Sequence, residues 1–231
     1  MKWSVVVVQA ILCTAMPYVA SAGSFEGSVT TKESSEGMVT QHKTYFKGDK
    51  VRIDKPNGDY IVWDVAKKEG FHTMASEKSY VVSSWKGLPS EVAKSMMANT
   101  TVTRTGKSDK VAGYSCEFYQ FKDEDGSGEV CVGKGISNPA FYQMITGGTP
   151  GQAAPPWMRD LAKDGGFPLR AVNRDESGQI ESTEEVTKIE AAKLDDSLFV
   201  PPAGFKKSTP EDKMQELKRM IEERQRKRDG K

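Results

Sequence analysis

YFKGDKVRIDKPNGDYIVWD, residues 45–64, alternates short apolar runs with turn residues. Gly48-Asp49 and Pro56-Asn57-Gly58 are turn signals, and between them KVRID places Val51 and Ile53 on one side of a strand, Lys50, Arg52 and Asp54 on the other. DYIVWD, by contrast, is apolar on both sides. Moving outward, further turns fall at Lys67-Lys68-Glu69-Gly70 and Ser76-Glu77-Lys78-Ser79, so residues 24–85 read as an antiparallel meander. Strand patterning resumes after Thr101 and again from Phe167, with a hairpin at Ser177-Gly178. The expectation is nine to eleven strands, a mainly β (α+β) chain with one sheet face wet over much of its area.

Three interruptions have helical spacing instead. LPSEVAKSMMAN (88–99) carries Met96 and Met97, NPAFYQMI (138–145) carries Phe141 and Met144, and PPWMRDLAKDGG (155–166) carries Trp157 and Met158. Helices this short need an apolar surface to lie on. The Gly- and Pro-rich TGGTPGQAAPP between the last two reads as a connection able to move.

The N-terminus decides the compartment. Lys2, an apolar stretch from Val5 to Tyr18 and the small residues Ala20-Ser21-Ala22 read as a secretory signal peptide over 1–22, cleaved after Ala22. The interruptions at Ser4, Gln9, Thr14 and Pro17 argue against a membrane anchor. Export to the periplasm, or secretion, makes a disulfide between Cys116 and Cys131 the expected state. Placing Lys122 to Asp125 in a four-residue loop before a left-handed Gly126 would set the two cysteines directly opposite each other. A redox-active pair is the alternative, although C-x-x-C spacing is absent.

With a net charge of +1 the chain has no global field to attract nucleic acid. The C-terminal tail differs. STPEDKMQELKRMIEERQRKRDGK (208–231) has Thr209 as N-cap, Pro210 at the first helical position, acidic residues in the first turn and Arg224 to Arg228 at the end. Met214, Leu217 and Ile221 form a narrow apolar stripe with Met220 beside it, so the helix either docks or projects. Its basic end is expected to touch an anionic membrane surface or an envelope protein. The domain division is therefore 1–22 signal peptide, 23–207 folded domain and 208–231 helical tail.

Catalytic chemistry has little footing. No G-x-S-x-G, P-loop or G-x-G-x-x-G occurs, and the two histidines, His42 and His72, lack ligand-type neighbours at metal spacing and read as exposed strand residues. Asp123, Asp125 and Glu129 could hold calcium but lack the rest of an EF-hand loop, and a solvated hairpin tip explains them. No enzyme activity, cofactor or tightly bound metal is expected.

Taken together, YFKGDKVRIDKPNGDYIVWD, GYSCEFYQF (113–121) and LDDSLFVPPAGFKK (194–207) resemble an exported bacterial family, domain of unknown function 4412, which is similar to the LolA/LolB-like lipoprotein and lipid carriers. The resemblance spans about residues 24–206. It implies a curved, unclosed half-barrel whose concave face is covered by helices and encloses an apolar cavity. Trp85, Met96, Met97, Phe141, Met144, Trp157 and Met158 would then line a pocket for a lipid or acyl chain, flexible methionines adapting to ligand shape and amphipathic tryptophans marking the mouth. Ordinary core packing is the competing reading for each of them. Two functions remain: a carrier or sensor with an unfilled cavity, and an adaptor that fills that space with its own side chains.

Overall fold

The computed structural model of the chain describes residues 24–84, 101–122, 126–136, 138, 140 and 166–229. The region of the expected signal peptide and the seven residues assigned to the pocket lie outside these, as do the short helical segments that carry them apart from residues 138, 140 and 166. The described chain forms β1 (Gly27–Ser35), β2 (Met38–Lys47), β3 (Lys50–Asp54), β4 (Tyr60–Asp64), β5 (Glu69–Met74), β6 (Ser79–Ser84), β7 (Thr101–Val111), β8 (Tyr114–Lys122), β9 (Ser127–Gly133), β10 (Phe167–Arg174), β11 (Ile180–Ala191), β12 (Lys206–Ser208) and the helix α1 (Pro210–Asp229).

All twelve strands belong to one sheet, in the order β12-β6-β5-β4-β3-β2-β1-β11-β10-β9-β8-β7. Two antiparallel meanders, β1 to β6 and β7 to β11, meet at the centre where β1 pairs β11 along its whole length. The count exceeds expectation by β12, a three-residue strand lying parallel to β6. So short a strand has no alternation to announce it.

The expected turns of the first meander are present, except that the one expected at 67–70 sits at 65–68 with Glu69 and Gly70 already in β5, and the two-residue hairpin between β1 and β2 adds another. Glu36 and Gly37 both take positive φ (51° and 79°), the geometry that matches the twist of the flanking strands. Across the first meander the ladders β2·β3, β3·β4, β4·β5 and β5·β6 run without a register shift. The second half is different. Shifts interrupt β1·β11, β10·β11, β10·β9 and β7·β8, and bulges of this kind bend and twist strands. The sheet curls accordingly. Arg170 on β10 holds Asp109 on β7 at 2.7 Å and Glu185 on β11 at 2.8 Å, so β7 turns back toward strands far from it in sheet order.

The curl defines an inner face. Val29, Phe46, Val51, Val111, Cys116, Cys131, Phe167, Leu169 and Val186 pack together there with Ile136 and Val65. Phe46 meets both Phe25 and Phe167 edge to face, with ring centroids 6.2 and 5.9 Å apart. Asn138, fully buried, ties the first residues of the sheet to the β2–β3 turn: its amide nitrogen lies 3.0 Å from Ser24 Oγ, 3.1 Å from the Phe25 carbonyl and 3.2 Å from the Gly48 carbonyl.

The bridge between Cys116 and Cys131 forms, but not across directly opposed residues. Lys122 pairs Ser127, Cys131 faces Phe118, and Cys116 faces Gly133. The cysteines are diagonal neighbours on one face with Cα atoms 5.4 Å apart, within disulfide reach. The expected direct pairing is corrected by two residues, and Gly126 does not take the left-handed conformation that pairing called for. Gly133 explains the offset: it leaves the space opposite Cys116 to the Leu169 side chain, which a Cβ at 133 would overlap.

The outer face of β2–β6 is closed by the chain's own C-terminal stretch. Val62, Phe71 and Phe199 form its buried centre, with Tyr45, Tyr60, Tyr80, Val82, Leu194 and Leu198 around them. Arg52 lies 3.7 Å over the Tyr60 ring, is held by Asp54 at 2.6 Å and donates to the Leu198 carbonyl at 3.0 Å. Lys47 reaches the Leu194 carbonyl and Asp196, and the Tyr60 hydroxyl reaches the Val200 carbonyl. This is the physical role of LDDSLFVPPAGFKK: a clasp that ends as β12 and leads into α1.

Thr209 caps α1 as expected. Its hydroxyl accepts from the Asp212 amide at 3.1 Å while the Asp212 carboxylate accepts from the Thr209 amide at 2.9 Å, a reciprocal capping box. The first turn is fastened to the sheet edge by Lys213 to Glu77. Further along, Met214, Met220 and Ile221 are about half exposed or more, so the described part of the stripe projects.

Candidate functional site

Strand register turns the inner face of the first meander into a grid. Its deepest row reads Gly27, Phe46, Val51, Trp63, Gly70 and Ser83 from β1 to β6. The next row reads Val29, Thr44, Ile53, Ile61, His72 and Val81. Beyond it, alternation places Thr31, His42, Lys55 and Met74 on the same side.

Burial falls sharply across this grid. On β1 and β2, Val29, Thr44 and Phe46 are buried, whereas Ile53, Ile61, Trp63, His72, Met74 and Val81 are only half-buried. A contiguous strip of large apolar side chains on β3 to β6 thus remains half-covered on the concave side of a curled sheet. Scattered surface apolar residues are ordinary, but a contiguous inward strip is not. Gly70 shapes it. A Cβ there would overlap the Trp63 indole and the Val62 carbonyl, so the missing side chain is what lets Trp63 lie over its neighbouring strand.

At the strip's outer edge the chemistry changes. Lys55 Nζ lies 3.4 Å from His72 Nε2, and burial together with this ammonium lowers the His72 pKa below its usual 6.5. A depression beside β2, where β3 ends, is lined by Thr30, Gln41, His42, Lys43, Asp54 and Lys55.

None of the seven residues assigned to the pocket from sequence lies among the described residues. What sequence reasoning passed over is the strip itself, although DYIVWD carried its signal: Val62 serves the outer face, Ile61 and Trp63 the inner one. The histidines also need correcting. His42 and His72 are half-buried on the inner face and not exposed, because each falls on the inward parity of its strand. Asp123 and Asp125 lie outside the described residues. Among the described residues no cluster of His, Cys, Asp and Glu is spaced to hold a metal, and no helix is long and apolar enough to cross a membrane.

The fold has relatives. An uncharacterized conserved protein from Thermus thermophilus is similar with a TM-score of 0.51 at 13% identity, covering 80% of this chain and 91% of that one. A chain of the Pseudomonas aeruginosa MucA/MucB complex gives 0.46 at 13% identity over 76% of this chain and 55% of that one. A putative outer membrane lipoprotein-sorting protein domain from Vibrio parahaemolyticus gives 0.31 at 11% identity over 78% and 91%. The first of these shares the architecture, and at such identities fold is all that is shared. No curated protein matches the sequence. The family is nonetheless defined, for the model of the Domain of unknown function (DUF4412) matches residues 25–205, from just before β1 to just before β12, and the chain belongs to that family.

Proposed function

We propose that this chain is an exported, non-enzymatic protein that holds a lipophilic ligand, a lipid or acyl chain, against the inner face of its sheet, as a carrier or sensor in the cell envelope. One observation carries the reading: Ile53, Ile61, Trp63 and Val81 form a half-covered apolar strip beside a core in which Phe46, Val51 and Leu169 are closed to solvent. An apolar surface held concave and incompletely filled suits an apolar ligand. Trp85, Met96, Met97, Phe141, Met144, Trp157 and Met158 would complete the lining, with the 147–156 connection moving to admit the ligand. The test is titration of a fluorescent fatty acid against wild type, Ile61→Asp and the Met96→Asp, Met144→Asp double variant, each checked by circular dichroism. Saturable binding by wild type and its loss in the variants is the expected result. Absence of saturable binding by wild type sinks the proposal.

A second reading, an adaptor making protein contacts, is favoured by the half-exposed Met214, Met220 and Ile221 on α1. The same helix exposes Lys218, Arg219, Arg224 and Arg226, so within the carrier reading it supplies a weak contact with anionic membrane. Equal liposome binding at low salt by the full chain and a chain ending at Lys207 would exclude the membrane contact.

A further inference from the structure

The apolar strip has a polar end, and that end is cationic. The Lys55 ammonium contacts the His72 ring and makes no ion pair among the described residues. Yet it is half-buried, where an unpaired charge loses hydration without compensation. The neighbouring acids are engaged elsewhere. Asp54 is held by Arg52 at 2.6 Å, and Asp59 accepts from the Ala75 amide at 2.7 Å and from Asn57 at 2.9 Å. On the other side, His42 brings a third nitrogen-bearing side chain to the same rim, with Glu33 and Glu184 paired across β1 and β11 beyond it.

These groups differ from the ion pairs elsewhere on the sheet. Arg170 has two carboxylates, Lys47 and Lys50 share Asp196, and Lys43 has Glu190. Lys55 alone among these cations has a ring nitrogen where a carboxylate would stand. Along β3 it follows Ile53 by two residues on the same side, so a chain lying on Ile53, Ile61 and Trp63 reaches the ammonium with its terminal group.

We infer that Lys55 and His72 receive the anionic headgroup, a carboxylate or phosphate, of an amphiphile whose tail lies on the Ile53–Ile61–Trp63 strip. The inference rests on the lipid-binding reading above and adds the head to the tail. It assigns Lys55 as the charged contact and His72 as its hydrogen-bonding neighbour, and it makes a neutral lipid the poorer ligand.

The test uses the full chain and three ligands with the same sixteen-carbon tail: palmitate, hexadecyl phosphate and hexadecanol. Competition against a fluorescent fatty acid at pH 7.5 gives each affinity. The expected result is that at least one anion binds about tenfold or more tightly than hexadecanol, as a charge-assisted hydrogen bond implies. Lys55→Gln should remove that preference while leaving hexadecanol binding unchanged, and Lys55→Arg should restore it. Which anion is preferred assigns the headgroup. Equal binding of all three by wild type, or a preference that survives Lys55→Gln, overturns the headgroup site and leaves the lipid reading standing. Failure of all three to bind overturns both.

Discussion

The two halves of the sheet carry similar apolar residues and treat them differently. In the half built from β7 to β11, ladder irregularities recur and a disulfide spans β8 and β9; Cys116, Cys131, Phe167, Leu169 and Val186 are all 5% exposed or less. In the meander from β2 to β6 the ladders are unbroken, and Ile53, Ile61, Trp63 and Val81 stay half-buried. Hydrophobicity does not separate the halves. Curvature does: bulges curl one half over Val29, Phe46 and Val51 at the near edge of the other, while the regular ladders from β3 to β6 leave Ile61 and Trp63 outside that closure.

The sharpest test of this contrast removes a side chain from each side of the boundary. Phe167→Ala takes from the closed half a ring that meets Phe46 edge to face, and should cost about 3–5 kcal/mol in urea denaturation. Next in size is the disulfide. Replacing both cysteines by serine should cost about 3 kcal/mol, since the bridge closes a loop with a sequence separation of 15. The loss should appear in the midpoint of unfolding while the Trp63 fluorescence of the native state, from the apolar strip on β3–β6, is unchanged.

Ile61→Ala belongs to the open half, and should cost only about 1 kcal/mol because the side chain is half in water already. A cost equal to that of Phe167→Ala would erase the distinction between the halves. The smallest effect concerns α1. The Lys213 hydrogen bond, acting against a small burial effect, holds the Glu77 carboxyl below its usual 4.5. A depressed folded-state pKa means the contact contributes fully above pH 4.5 and is lost as pH falls through the lower folded value. The nuclear magnetic resonance signal of the Lys213 ammonium should therefore shift below pH 4.5, and Glu77→Gln should abolish that shift while the separate titration of Asp212 in the capping box remains.

Local signals in the sequence reached far into the fold. The turns at 48–49, 56–58, 76–79 and 177–178, the alternation of KVRID and the Thr209 cap all depend on neighbours a few residues away, and all are present; the turn expected at 67–70 sits two residues earlier, at 65–68, and the cysteine bridge forms between partners 15 apart. What escaped depends on distance. The β1·β11 pairing joins chain ends, the β8·β9 register is set by Leu169 filling the space left at Gly133, and β12 exists only because the clasp brings it to β6. The site followed the same rule. That DYIVWD is apolar on both sides was visible, but the Lys55–His72 contact needs two strands in register and could not be read from either alone.

The central β1·β11 ladder also dictates an order of assembly. Every other antiparallel pair joins strands that follow one another among the described elements, and all of these except β9·β10, whose strands are separated by residues 134–166, are linked closely enough to zip as hairpins on the microsecond scale. Gly27 cannot meet Ala191 until nearly the whole domain has been made. The two meanders are thus independent starting points and their seam is the late, entropically costly event, as expected where distant contacts dominate. Until the seam closes, both halves present an unpaired strand edge, and anything that delays residues 180–191 leaves those edges open to pairing with another chain.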